Sequence, residues 1–226
     1  MSAYNRTARI AGALFLAAMV TSLTGGVWLE SIVTAEDYLA TASANETQLL
    51  LGALLELTNC LAVLGIASVL FPLMRRHNEA LAAGYLGTRI VEVVVLAVAA
   101  VSPLLIVTLS QEYLAAGAAD AAYFETAGAL VMAARGQLAS LLTPIFFSLA
   151  ALLLYIFLYQ TKLVPRFISM WGLIAVVALF TWNMVEAFGL HISAGMVFAL
   201  PMILNEVFLG LWLLVRGFNG SAELAD

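Results

Sequence analysis

Charged residues interrupt this chain at intervals that leave long apolar runs between them. Mostly apolar stretches lie between Arg9 and Glu30, Glu56 and Arg75, Glu92 and Glu112, Arg135 and Lys162, and Arg166 and Glu186, and a last one spans Ser193 to Val215. A helix of about 20 residues, rising 1.5 Å per residue, crosses a hydrocarbon core of about 30 Å. The pattern therefore predicts six membrane-spanning helices, over 7–29, 48–74, 80–109, 120–159, 167–190 and 193–217. The expected fold class is all-α: a polytopic six-transmembrane-helix bundle, residues 1–226, in a single membrane domain.

Local signals refine the elements. Ala8 and Gly12 have the spacing that lets two membrane helices approach closely, as do Gly136 and Ser140. Thr34 is a candidate N-cap for a short surface helix carrying Tyr38 and Leu39, and Asn45-Glu46-Thr47-Gln48 resembles a capping box for the second span. Pro72 and Pro103 fall inside the second and third spans. The fourth would measure about 60 Å if continuous, so its first turns are expected to project outside the bilayer or to bend, with Arg135-Gly136-Gln137 or Pro144 as the place of the bend. Pro165 suits the first turn of the fifth span, His191 a short outer turn, and Pro201 interrupts the sixth.

Composition agrees: 64% of residues are hydrophobic, 10% are charged, and the mean hydropathy is +1.04. Seven of the nine Lys and Arg residues fall at one set of helix ends, at Arg6, Arg9, Arg75, Arg76, Lys162, Arg166 and Arg216. The opposite loops carry Glu30, Glu36, Asp37, Glu46, Glu112, Asp120 and Glu125. Basic residues stay on the cytoplasmic side, so both termini are expected there. The net charge of -5 reflects an acidic outer face, and no nucleic-acid partner is expected. Cys60 is the sole cysteine, which excludes a disulfide framework or a CxxC metal site. The first apolar run is longer than a signal-peptide core and is expected to be retained.

Polar residues that remain inside the spans are the candidate chemistry. Glu56, Asn59, Arg89, Glu92, Arg135, Gln137, Asn183, Glu186, Asn205 and Glu206 come from five helices and fall between the midplane and the outer end. A charged residue at mid-bilayer costs roughly 2.5 to 3.5 kcal/mol on insertion scales, so these groups should face a shared interior. Four of them are glutamates and two are arginines, so the charges do not balance. Desolvation makes proton sharing easy for the excess carboxylates. The candidate ligand-binding set is Glu56, Asn59, Arg89, Glu92, Arg135, Glu186, Asn205 and Glu206, with a small polar or cationic ligand as its partner. Ion pairs that only hold the bundle together are the alternative. A third is a metal-dependent membrane enzyme using Glu56, Glu92, Glu206 and His191. No HExxH, GxSxG or phosphate-binding glycine loop is present; no catalytic residue, resident metal or cofactor is expected. Phe146, Phe147, Tyr155 and Phe157 read as core or lipid-facing positions.

Taken in order, Arg9-Ile10-Ala11-Gly12, Gly84-Tyr85 followed by Arg89 and Glu92, Leu163-Val164-Pro165-Arg166 with Ser169 and Gly172, and Pro201-Met202 followed by Glu206, Trp212 and Gly217-Phe218 resemble a bacterial membrane family. It is the one catalogued as domain of unknown function 4386. The resemblance implies a compact six-helix protein of the cell inner membrane and supplies no catalytic residues.

Overall fold

The computed structural model describes residues 3–116, 121–190 and 195–219, and every regular element among them is helical. Six spans are long and apolar enough to cross a membrane: Tyr4–Val33, Glu46–His77, Glu79–Ala116, Ala121–Thr161, Arg166–Ala187 and Gly195–Val215. The chain is therefore a multi-pass membrane protein, and the six expected spans are present. Asp120, His191 and Ser193 lie outside the described residues.

The first span is α1 (Ala3–Val33), followed by a short helix, α2 (Tyr38–Ala44), and the second span, α3 (Glu46–His77). The third span is broken into α4 (Glu79–Ala99) and α5 (Ser102–Ala116). The fourth is broken as well. It runs through α6 (Ala121–Gln137) and one π-helical turn (Leu138–Leu142) into α7 (Thr143–Thr161). Single helices α8 (Arg166–Ala187) and α9 (Gly195–Val215) complete the set.

Packing closes the spans into a ring. Helix α1 lies against α3, α3 against α4, α4 against α7, α7 against α8, α8 against α9, and α9 returns to α1. Small residues permit the closest approaches: a Cβ added at Gly12 would lie 2.6 Å from the Gly210 carbonyl and 2.7 Å from the Leu214 nitrogen. Gly172 likewise receives the ring of Tyr155. Gly136, by contrast, faces open space, so the second small-residue pair does not mark a helix contact. The main core fills the ring, with Ile66, Leu70, Met74, Tyr85, Leu154, Tyr155, Phe157 and Leu209 buried.

A second layer covers one end. There α2, α5 and α6 pack in series, α5 also touches α3, and a smaller core forms from Leu29, Ile32, Ala42, Leu49, Ile106 and Val107. Two expected caps differ. Asp37, rather than Thr34, caps α2 by accepting from the Ala40 N–H at 3.2 Å, because Thr34 instead donates to the Glu30 carbonyl. Asn45 does precede α3, but its amide donates to the Thr41 carbonyl of α2, so no side chain caps the helix. Tyr38 reaches across to α6, where its hydroxyl donates to the Glu125 carbonyl at 3.3 Å. Burial, reinforced by the nearby Glu125 carboxylate, raises this phenol above its usual pKa, so it remains a donor at neutral pH.

The other end gathers the basic residues. Arg76 donates to the Tyr4 hydroxyl, Arg166 lies over the Tyr159 ring, and His77 meets Gln160 at 3.0 Å. Lys162 takes a left-handed conformation that ends α7, and Asn219 secures this turn by donating to the carbonyls of Lys162 and Leu163.

Candidate functional site

The break in the third span begins with Pro103. A continuous helix would satisfy the Ala99 carbonyl with the N–H of residue 103, and proline has none. Side chains replace it: Ser102 donates to the Ala99 oxygen at 2.7 Å and Arg135 at 2.9 Å. Arg135 also donates to Ser102 Oγ at 3.1 Å and pairs through both terminal nitrogens with the Glu56 carboxylate. This guanidinium therefore ties α3, α6 and the α4–α5 break together. The π turn begins three residues after Arg135; there the Thr143 N–H reaches back to the Leu138 carbonyl just before Pro144. The irregularity in this span is thus a π turn that lies between the two positions proposed for a bend.

A second ion pair lies deeper. Cys60 Sγ is 3.9 Å from the Val93 carbonyl, which places Glu92 level with the middle of α3. Glu56, about five residues outward, is then roughly 7 Å nearer the α2 end. Arg89 and Glu92 share one face of α4, three residues apart, and one guanidinium nitrogen holds both carboxylate oxygens, at 2.8 and 3.1 Å. The arginine is packed between two rings, with its charged carbon 5.6 Å from the centroids of both Tyr85 and Phe147. Each residue of the pair is only 2% exposed.

This pair borders a cavity of about 260 Å³ inside the ring. Helices α1, α3, α4, α7 and α9 supply its walls, and its polar lining is Ser22, Asn59, Arg89, Glu92, Thr143 and Glu206. Glu206 faces Arg89 and Glu92 and interacts electrostatically with both. Unlike Glu92, it has no ion pair or hydrogen bond of its own among the described residues. Near these charges Arg89 Nε and the Tyr155 hydroxyl are buried without a hydrogen-bond partner among the described residues.

The eight candidate residues thus fall into separate groups. Asn59, Arg89, Glu92 and Glu206 share the cavity, while Arg135 and Glu56 form the clamp nearer the α2 end. Asn205 is fully buried but turned to α8, where its amide donates to the Ile168 carbonyl at 3.0 Å. Glu186 sits half-buried in the last turn of α8, with no ion pair among the described residues. Asn183 bonds its own helix at the Leu179 carbonyl, and Gln137 is exposed. Among the described residues, no three His, Cys, Asp or Glu side chains gather as a metal site. Tyr85, Thr143 and Ser22 were not singled out from sequence as site residues. Only Tyr85 carried a signal, lying four residues before Arg89 and hence on its face.

The ring of apolar spans around a charged cavity defines the class: a multi-pass membrane protein with a polar interior site. Residues 10–217 match the family described as Domain of unknown function (DUF4386), and the chain belongs to that family. No curated protein and no solved structure matches it.

Proposed function

We propose that this membrane protein binds a small cationic solute in the central cavity and carries it across the bilayer. One observation supports this above the others: Glu206 borders the cavity without an ion pair of its own among the described residues, while the neighbouring Glu92 is paired with Arg89. An isolated carboxylate in such surroundings is strongly disfavoured unless a cation or proton neutralises it. Arg89 does not invite an anion, since Glu92 and two aromatic rings already cover it. Asn59 and Thr143 are placed to orient a bound ammonium or guanidinium group. Arg135 and Glu56, which cap the helix break, favour a purely structural reading for that pair alone. The seven clustered basic residues support an inner-membrane protein with both termini in the cytoplasm.

Thermal unfolding of the purified protein tests the binding site. Methylammonium or guanidinium should raise the melting temperature, by about 2.7 kcal/mol of stabilisation at a hundredfold excess over Kd. Matched anions should not, and Glu206→Gln should abolish the response. If no cation acts and Glu206→Gln simply raises the melting temperature, Glu206 is a desolvated charge in a structural cavity.

A further inference from the structure

The cavity is not uniformly polar. Its charged groups gather on α4 and α9, whereas Phe15, Met19 and Leu23 of α1, with Phe147 of α7, present an apolar wall. Leu23 belongs at once to that wall and to the exposed surface, where it is 49% exposed between Val20 and Val27, which are exposed as well. Helix α9 borders this side of the cavity through Ile203 and Glu206. It meets α1 at Gly12 and Gly210, but its other end leans on α8, where Phe198 stacks on Trp182 with ring planes 3° apart. Between these two contacts Leu23 of α1 and Ile203 of α9 both line the cavity, and Leu23 continues onto an exposed apolar surface of the kind lipid covers.

We infer that the solute is an amphipathic monocation, an alkyl- or arylammonium that enters from the bilayer between α1 and α9, seats its charge at Glu206 and displaces a proton from it. This rests on the cation-binding role proposed above and goes beyond it. The chemistry on each side of the cavity demands such a ligand. A compact, fully hydrated cation leaves the Phe15–Phe147 side unfilled, a dication exceeds the single uncompensated charge, and a carboxylate is repelled by Glu92 and Glu206. Groups facing Glu206 come from two helices: Arg89, Glu92 and Tyr85 on α4, and Tyr155 on α7. Arg89 is already paired with Glu92, so the occupant of the Glu206 carboxylate is either one proton or one ammonium. The exchange balances in charge: one cation enters and one proton leaves.

Calorimetry on the full chain in phosphatidylcholine nanodiscs, with empty nanodiscs as the blank, separates the parts. Hexylammonium should bind at least tenfold more tightly than methylammonium, and hexanoate should not bind. Titrations in buffers of different ionisation heat should show up to one proton released per hexylammonium. Affinity should rise up to about tenfold per pH unit while Glu206 is protonated, because the proton competes. Glu206→Gln should remove binding; the proton count and the pH slope, both measured on the unaltered chain, stand even if that variant fails to fold. Equal affinities for methylammonium and hexylammonium would overturn the amphipathic ligand while leaving the cation site intact. Binding with neither proton release nor pH dependence would overturn the exchange. Absence of binding by either ammonium would overturn the cation site itself.

Discussion

Arg135 donates to a carboxylate, a hydroxyl and a carbonyl that belong to two other spans, so its neighbours depend on a donor as well as on a positive charge. Removing the negative partner alone, by Glu56→Gln, leaves the guanidinium partly buried and unpaired. The expected cost is about 1 to 3 kcal/mol, at the lower end because the pair keeps some exposure. Exchanging the two residues, Glu56→Arg with Arg135→Glu, restores the pair in name but sets a carboxylate against the Ala99 carbonyl. We expect that double variant to melt below the Glu56→Gln single variant. Full recovery in unfolding measurements would show that the ion pair matters and the carbonyl cap does not. Asn205 and Glu206 make a related point. They are adjacent in sequence yet about 100° apart around α9, so one serves the α8 contact and the other the cavity. Their polarity marked both as interior residues; only the rotation of the helix separates their roles.

Among the elements, the six spans were legible because each is a long apolar run whose helical state follows from its length and from the absence of water. The interruptions were legible only in part. Pro103 lies within the third span, but the partner of the carbonyl it frees comes from residue 135, and no local pattern records that distance. The fourth span shows the same limit: its excess length pointed to projection or a bend, while the π turn at Leu138–Leu142 packs against α4 and α8, neighbours that no local pattern records. Glycine positions give a direct test of element packing. Gly12→Ala places a methyl against backbone atoms of α9 that cannot rotate away, and should destabilise by about 1 to 3 kcal/mol. Gly136→Ala meets nothing and should be neutral or stabilising by up to about 1 kcal/mol through helix propensity. Equal effects of the two on the unfolding midpoint would contradict the α1–α9 contact.

At the scale of the whole molecule, the ends differ in charge and in construction: basic residues and tight turns at one, the α2, α5 and α6 layer at the other. In a Cys60→Ser background, a membrane-impermeant thiol reagent should label Ala44→Cys from outside intact cells and reach Ala80→Cys only after permeabilisation, and the opposite pattern would invert the proposed orientation. The closed ring also has a consequence in time. Of the six spans described, α1 is synthesised before the other five, yet one of its two ring neighbours, α9, follows them all. About 200 residues separate Gly12 from Gly210, and at 5 to 20 residues per second translation takes roughly 10 to 40 s to supply the missing partner. Through that interval α1 is held by α3 and the short helix α2, with its α9 face open to lipid or to the insertion machinery. Variants that weaken the α1–α3 seam should therefore lower the yield of inserted protein more than they lower the stability of what has already assembled.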